Sequence, residues 1–258
     1  MSKVYTTEIT SESIVSDNPI HQRLLKAYVI AEDYVTGDVL EVGCGEGRGI
    51  DRLLALAKSY TALDKIEPII ESLQKKYPSG KFFSGNIPPF SNSPDNSYDR
   101  VFSFQVIEHI EDDEFFLKEI HRVLKPGGIA LLTTPNRIKS LSRNPWHIRE
   151  YTADELTQLA KKYFAHVEMK GITGNEKVLQ YYQRNKKSVD RIMRFDILDL
   201  QHRLPASILR IPYEWLNRKN RNKLSDDGDE LVRSIAHEDY LVTDNASEAL
   251  DLFLIVRK

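Results

Sequence analysis

Short apolar strand patterns alternate with helix patterns between residues 39 and 133, and this alternation constrains the fold more than any other feature. Strands that alternate with helices of about 10–15 residues indicate a parallel sheet covered by helices on both faces. Two further strand patterns follow later in the chain, so we expect an α/β fold with a seven-stranded sheet. The predicted strands cover residues 39–42, 59–64, 81–84, 99–104, 129–133, 166–169 and 252–256.

The predicted helices begin and end at recognisable signals. Asn18 followed by Pro19 is typical of an N-cap with proline at the first helical position. Thr152, with Glu155 three residues later, has the pattern of a capping box. The predicted helices cover residues 19–34, 49–58, 68–76, 111–124 and 152–163.

Two regions lie outside the alternation, at the N-terminus and before the last strand. We expect residues 1–36 to form a helical cap and residues 37–258 to form one domain with a helical insertion at about 174–245. A connection of this length is too long to lack secondary structure of its own.

The insertion is strongly polarised in charge. Residues 177–223 carry 12 Lys and Arg against 4 Asp and Glu, a net of +8, whereas residues 226–244 carry 7 acids against 1 base, a net of −6. We expect the basic half to form amphipathic helices that are broken at Pro205 and Pro212. The apolar residues of that half are Ile192, Phe195, Leu198, Leu204, Ile208, Leu209, Trp215 and Leu216.

The whole chain is nearly neutral, with 36 basic and 38 acidic residues and a net charge of −2. This balance argues against nucleic acid as a partner of the whole surface, although it leaves a local patch open. Cys44 is the single cysteine, which excludes an intramolecular disulfide and a cysteine-based zinc site. Because the sequence shows no signal-peptide pattern and no apolar run of roughly 20 residues, we expect a cytoplasmic protein.

The run EVGCGEGRG at residues 41–49 follows the first strand and opens a helix. Glycines in such a turn let backbone N–H groups approach a ligand closely. A dinucleotide fingerprint needs glycine where this chain has Arg48, and Glu41 would repel a pyrophosphate but suits a ligand with a positive amino group. Asp64, 21 residues beyond Gly43, ends the second strand, where an acid accepts hydrogen bonds from a ribose diol.

Five segments resemble, in order and spacing, the motifs of class I S-adenosylmethionine-dependent methyltransferases, in particular the type 11-like family. The resemblance implies a Rossmann-like, mostly parallel sheet with an antiparallel last strand, S-adenosylmethionine (SAM) as cofactor and S-adenosylhomocysteine (SAH) as product. It covers about residues 37–172 and the last strand. The segments are EVGCGEG at 41–47, LD at 63–64, SGNIPPF at 84–90, the stretch 98–110, and LKPGG at 124–128.

The resemblance also implies roles for individual residues. The backbone of Gly43, Cys44 and Gly45 would pack against the methionine part of SAM, with Glu41 beneath the loop. Asp64 would bind the ribose hydroxyls. The residues implied around the adenine and the amino-acid end of SAM are Lys65, Ile66, Gly85, Asn86, Ile87, Phe104 and Gln105.

Transfer of a methyl group to a hydroxyl needs a base that removes the hydroxyl proton. His109 and His147 follow the fourth and fifth strands, and we expect one of them to be this base because histidine titrates near neutral pH. In ubiquinone-type O-methyltransferases and small-RNA ribose methyltransferases, a similar E-x-x-E-H segment binds a divalent metal. Gln105 replaces the first glutamate here, so we expect no metal. Glu108, His109 and His147 keep the metal alternative open.

The most favoured function is O-methylation of a small molecule or of a glycan or lipid-linked precursor. Two alternatives remain: an RNA methyltransferase of the same fold that uses the basic segment, and a non-catalytic SAM-binding protein. The basic insertion with Trp215 also allows peripheral contact with a membrane, and the chain is expected to be a monomer or a homodimer.

Overall fold

The computed structural model describes residues 15–194, 196, 199–226 and 229–258. Phe195, Leu198 and the first 14 residues of the predicted N-terminal cap lie outside this range. Within it, eight strands form one sheet in the order β3-β2-β1-β4-β5-β8-β6-β7. The strands are β1 (Asp38–Val42), β2 (Ser59–Asp64), β3 (Lys81–Ser84), β4 (Tyr98–Phe104), β5 (Leu124–Pro135), β6 (His166–Gly174), β7 (Tyr240–Thr243) and β8 (Asp251–Arg257).

The predicted α/β architecture is confirmed. β1 to β5 pair in parallel, and β8 runs antiparallel to both β5 and β6. The helices described are α1 (Asn18–Glu32), α2 (Ile50–Leu56), α3 (Glu67–Lys76), α4 (Asp113–Val123), α5 (Ala153–Lys161), α6 (Glu176–Met193), α7 (Leu200–Arg203), α8 (Ala206–Asp226) and α9 (Asp229–Ser234).

The sheet has one strand more than the seven expected. β7 lies inside the segment predicted as purely helical, and it pairs antiparallel with β6 at the edge of the sheet. Leu241 and Val242 of this strand are exposed, so the strand lacks the buried apolar run that revealed the others. The predicted division into residues 1–36 and 37–258 stays a prediction.

Apolar side chains cover both faces of the sheet. Val39 of β1 packs in a core cluster with residues of α1, α2, α3 and α6, whereas Leu40 and Val42 pack on the opposite face with residues of α4 and α5. This alternation follows from the two-residue side-chain period of a strand. The carboxyl ends of the parallel strands therefore stay clear of the helices that cover the faces, which is where a ligand site is expected.

The helix signals are confirmed in part. Thr152 and Glu155 form the predicted capping box of α5. Asn18, however, is the first residue of α1 and Asp17 stands at the N-cap, so the predicted cap is wrong by one residue. The Asn18 amide instead donates to the carbonyl oxygens of Val232 and Ile235, at 2.8 Å each, and ties α1 to α9.

The predicted break at Pro205 is confirmed, because this residue separates α7 from α8. The predicted break at Pro212 is wrong, since α8 continues through it. Pro212 lies on the exposed side of the helix, where water can bond the carbonyl that proline leaves without an N–H donor. None of the helices described is both long and apolar enough to cross a bilayer.

Candidate active site

The glycine-rich loop between β1 and α2 is held against the end of β2. The N–H groups of Gly43 and Cys44 both donate to the carbonyl of Leu63, at 2.7 and 3.2 Å. Gly43 has a φ of +78°, and a Cβ at this position would stand 2.3 Å from Cγ2 of Val106. Both the backbone conformation and the close approach therefore require glycine.

Asp64 connects the loop to the end of β2. Its Oδ2 accepts a 2.8 Å hydrogen bond from the Gly45 N–H, and its Oδ1 accepts a 3.0 Å hydrogen bond from the Ile66 N–H. Each carboxylate oxygen has a further lone-pair position available to a ligand hydroxyl. Asp64 therefore has the geometry to organise the loop and to bind a diol at once.

Glu41 lies beneath the loop and is 1% exposed. Its carboxylate accepts hydrogen bonds from the hydroxyls of Tyr28 and Tyr60. Burial is the main cause that raises the pKa of Glu41 from 4.5 to about 7, and the nearby Asp64 adds to the rise. The side chain does not face the cavity, so its place is under the loop rather than against a ligand.

Glu41 should make stability fall with rising pH. Below its ordinary value of 4.5 the carboxyl is neutral in both folded and unfolded chains, whereas between 4.5 and about 7 only the unfolded chain ionises. The unfolding free energy of the natural protein should therefore drop across this window relative to Glu41→Gln, by at most about 1.4 kcal/mol per pH unit. Urea unfolding of both proteins at several pH values measures the difference.

Glu71→Gln is a suitable control, because Glu71 is exposed on α3. Its stability curve should run parallel to that of the natural protein. The pKa of Glu108 is also raised, but its effect on the pH dependence of stability is the same in both proteins and cancels in the comparison. Parallel curves for Glu41→Gln and the natural protein would contradict the assignment of a buried, titrating Glu41.

A cavity of about 870 Å³ opens beside the loop at the carboxyl ends of β1, β2 and β4, and we call it the cofactor cavity. Most of the predicted cofactor residues line it, together with His109. Glu41 and Gly85 do not line it, and His147 lines a different cavity. The predicted residues that line it are Gly43, Cys44, Gly45, Asp64, Lys65, Ile66, Asn86, Ile87, Phe104 and Gln105.

The cofactor cavity fits SAM in size and in polar groups. Its volume lies within the range of sites for cofactors and small molecules. A Cβ at Gly45 would meet no atom within 4 Å, which leaves room for the methionine part beside the loop. Asp64 also lines the cofactor cavity and supplies the acceptors for a ribose diol. Cys44 contributes a buried wall, and burial raises the pKa of its thiol, so it serves packing rather than nucleophilic chemistry.

A second cavity of about 660 Å³ adjoins the first, and we call it the acceptor cavity. Leu24, Gln105 and His109 line both cavities and so mark their junction. Gln105 has a left-handed φ of 60°, which its N–H bond to the Thr133 carbonyl, at 2.8 Å, helps to hold. A non-glycine residue in this conformation costs roughly 1–3 kcal/mol, and such strain is typical of functional sites.

The two candidate bases lie side by side at this junction. The rings of His109 and His147 are 5.0 Å apart between centroids and nearly perpendicular. His109 Nδ1 lies 2.9 Å from the carbonyl oxygen of Trp146. His147 Nδ1 lies 2.6 Å from Oε1 of Glu150, and its Nε2 lies 2.8 Å from the amide nitrogen of Asn144.

Glu108 completes a cluster with the two histidines. One ligand-type atom from each of the three residues lies within 4.8 Å of the others, so the group has the composition of a divalent metal site. Glu108 is buried and accepts a 2.9 Å hydrogen bond from the Thr134 hydroxyl. Burial raises the pKa of Glu108 to about 7. The expectation that no metal is used stays a prediction.

Several contributors to the site were not predicted from the sequence. The Trp146 carbonyl, the Glu150 carboxylate and the tyrosines of α6 reach the site only through folding. Glu150 lies three residues after His147, a spacing that could have suggested the pair. Tyr181 and Tyr182 of α6 line the acceptor cavity, and neither was among the site residues predicted from the sequence.

Comparison with known proteins agrees with this site. The family model described as "Methyltransferase domain" matches residues 40–132. A protein of Mycolicibacterium smegmatis named "Probable S-adenosylmethionine-dependent methyltransferase" is 43% identical over 127 residues, which are 47% of this chain and 49% of that protein. A "Ubiquinone biosynthesis O-methyltransferase" of Rickettsia typhi is 33% identical over 105 residues, which are 39% of this chain and 42% of that protein.

The fold has solved counterparts. A SAM-dependent methyltransferase structure from Thermotoga maritima superimposes with a TM-score of 0.57 at 17% identity, covering 93% of this chain and 91% of the other. The match to curated relatives is shorter, since it spans about half of their length. The family model nevertheless includes the glycine-rich loop, Asp64 and the strands that build the cofactor cavity. Residues 40–132 therefore match the methyltransferase-domain family, and the chain is similar to S-adenosylmethionine-dependent methyltransferases over about half of their length.

Proposed function

We propose that this protein transfers the methyl group of SAM to a hydroxyl oxygen of a polar acceptor held in the acceptor cavity. The observation that carries the proposal is the position of His109, which lines both cavities at their junction. When bound, SAM supplies an electrophilic methyl group on a sulfonium. The protein then has to align the acceptor and remove its proton.

His109 is better placed than His147 to take that proton. A carbonyl oxygen only accepts hydrogen bonds, so the contact with Trp146 requires the proton on His109 Nδ1. In the neutral ring, Nε2 is then the basic nitrogen. His147 lines only the acceptor cavity, whereas His109 lines both cavities, so we assign His147 the role of a positioning residue beside the His109 ring.

The acceptor cavity favours a neutral, hydroxylated molecule. Aromatic side chains and amides dominate the wall formed by α6, including Tyr181, Tyr182 and Asn185. Every Lys and Arg described in the lining pairs with a carboxylate, which weakens its attraction for a phosphate. The pairs are Arg23 with Asp251, Lys139 with Glu248, and both Arg218 and Arg221 with Asp17.

This charge balance supports a sugar-like or phenolic acceptor over RNA. The name of the Rickettsia relative points to O-methylation by that protein, which agrees with a hydroxyl acceptor here. RNA would need cations that are available to its phosphates, and SAM binding alone would need no base at the junction of the cavities.

SAH release from SAM tests the proposal. We expect release with sugar or phenol hydroxyl acceptors, with the methyl group recovered on oxygen by mass spectrometry, and unchanged rates in EDTA. Matched amine acceptors and short RNA serve as the comparison. Methylation only of amines or only of RNA would contradict the hydroxyl assignment, and a rate abolished by EDTA and restored by a divalent ion would replace the base with a metal at Glu108, His109 and His147.

A further inference from the structure

α8 exposes a row of large apolar side chains to solvent. Ile208, Ile211 and Trp215 follow one another at spacings of three and four residues, so they lie on one face of the helix. They are 57%, 78% and 61% exposed. We call these three residues the α8 ridge. Contiguous exposed apolar side chains of this size mark an interaction surface.

Cations accompany the ridge. Lys219 Nζ lies 4.8 Å above the Trp215 ring. The guanidinium of Arg210 lies 3.9 Å from the Trp146 ring, and Arg203 is exposed at the end of α7, one helix earlier. Apolar side chains with basic neighbours complement a bilayer surface, where anionic headgroups lie above apolar acyl chains. Tryptophan is itself suited to that boundary, because its ring is apolar and its N–H is polar.

The ridge is continuous with the mouth of the acceptor cavity. Ile211 and Trp215 belong to the ridge and also line that cavity. Trp146, whose ring stacks against the guanidinium of Arg210, also lines the acceptor cavity; it belongs to the segment between β5 and α5. A surface bound to the ridge would therefore lie at the cavity mouth.

We propose that the α8 ridge docks on an anionic phospholipid bilayer, with the helix in the plane of the interface. The apolar side chains enter the boundary between headgroups and acyl chains, while the exposed cations Arg203 and Lys219 contact the anionic headgroups. This last step rests on the proposed function: docking places the mouth of the acceptor cavity next to the polar headgroups of the bilayer, where the acceptor hydroxyl is located.

Vesicle co-sedimentation of the whole protein, without SAM or acceptor, tests the docking. We expect binding to vesicles of phosphatidylcholine mixed with phosphatidylglycerol, little binding to phosphatidylcholine alone, and weaker binding as salt concentration rises. Ile211→Asp should lower the partition coefficient by at least about tenfold, since it places a charge in the apolar row. The matched control is Leu56→Asp, because Leu56 is 54% exposed at the end of α2, far from the ridge in the chain.

Three results would overturn docking on a bilayer. The first is an equal loss of binding in both variants, and the second is no binding of the natural protein to anionic vesicles at low salt. The third is a natural protein that light scattering shows to be a dimer and that Ile211→Asp converts to a monomer, because a second copy would then cover the ridge. Thermal unfolding of each variant confirms that it is folded, and because the assay contains no SAM, its result is independent of the transfer reaction.

Discussion

Asp64→Ala is expected to weaken SAH binding by about 10²- to 10⁴-fold. A hydrogen bond to a charged group contributes about 1.5–3 kcal/mol, and loss of two such bonds to a ribose diol costs a factor of this size. The substitution also removes the acceptors of the Gly45 and Ile66 N–H groups, so the loop loses its attachment to the end of β2. Isothermal titration calorimetry with SAH measures the effect in the absence of turnover.

Two variants sharpen this test. Asp64→Asn keeps one oxygen acceptor but removes the charge, so its affinity should fall between that of the natural protein and that of Asp64→Ala. Glu71→Ala removes an exposed acid from the neighbouring α3 and should leave the affinity unchanged. An SAH affinity of Asp64→Ala equal to that of the natural protein would refute the assignment of Asp64 to the ribose.

The sheet and the cofactor cavity were predictable because their signals are local. Each buried strand from β1 to β5 carries its own apolar run, and the glycine loop carries the turn that its backbone needs. Gly43 illustrates this, since its φ of +78° and its contact with Val106 both require the absence of a side chain. Asp64 was found for the same reason: it ends a strand at a fixed distance from the loop.

The acceptor cavity was less predictable because its walls come from distant segments. The tautomer of His109 depends on a carbonyl 37 residues away in the chain, at Trp146. Neither hydrophobic periodicity nor residue spacing predicts that a particular backbone carbonyl will bond a histidine ring. The two tyrosines that enclose Glu41 show the same limit, because Tyr28 reaches it from α1 and Tyr60 from β2.

The errors in the insertion have physical causes as well. β7 exposes Leu241 and Val242, so it resembled a loop in an acidic segment rather than a strand. Pro212 lacks the N–H that would bond the carbonyl one turn earlier in α8. Solvent can bond that carbonyl instead because Pro212 lies on the exposed side of the helix, so the helix continues through the proline. Asn18 is the first residue of α1 and does not cap the helix. Its side-chain oxygen accepts a hydrogen bond from the Gln22 amide, and its own amide donates to the carbonyls of Val232 and Ile235.

His109→Ala is expected to lower kcat for a hydroxyl acceptor by about 10²- to 10⁴-fold, the usual contribution of a general base. The SAH affinity should change little, since the cofactor cavity keeps its glycine loop and Asp64. His147→Ala should cost less, because His147 only positions the neighbouring ring. His121→Ala is the control, since His121 packs on Phe164 and lines neither cavity.

The acidity of the acceptor distinguishes a base from a residue that only shapes the cavity. A strongly acidic phenol is already ionised and needs no base, so His109→Ala should lose little activity with it while losing most of the activity with a weakly acidic alcohol. A residue that acted only by packing would slow both acceptors alike. Equal losses for the two acceptors, or full turnover of His109→Ala with the weakly acidic one, would show that the proton leaves by another route and that His109 is not the base.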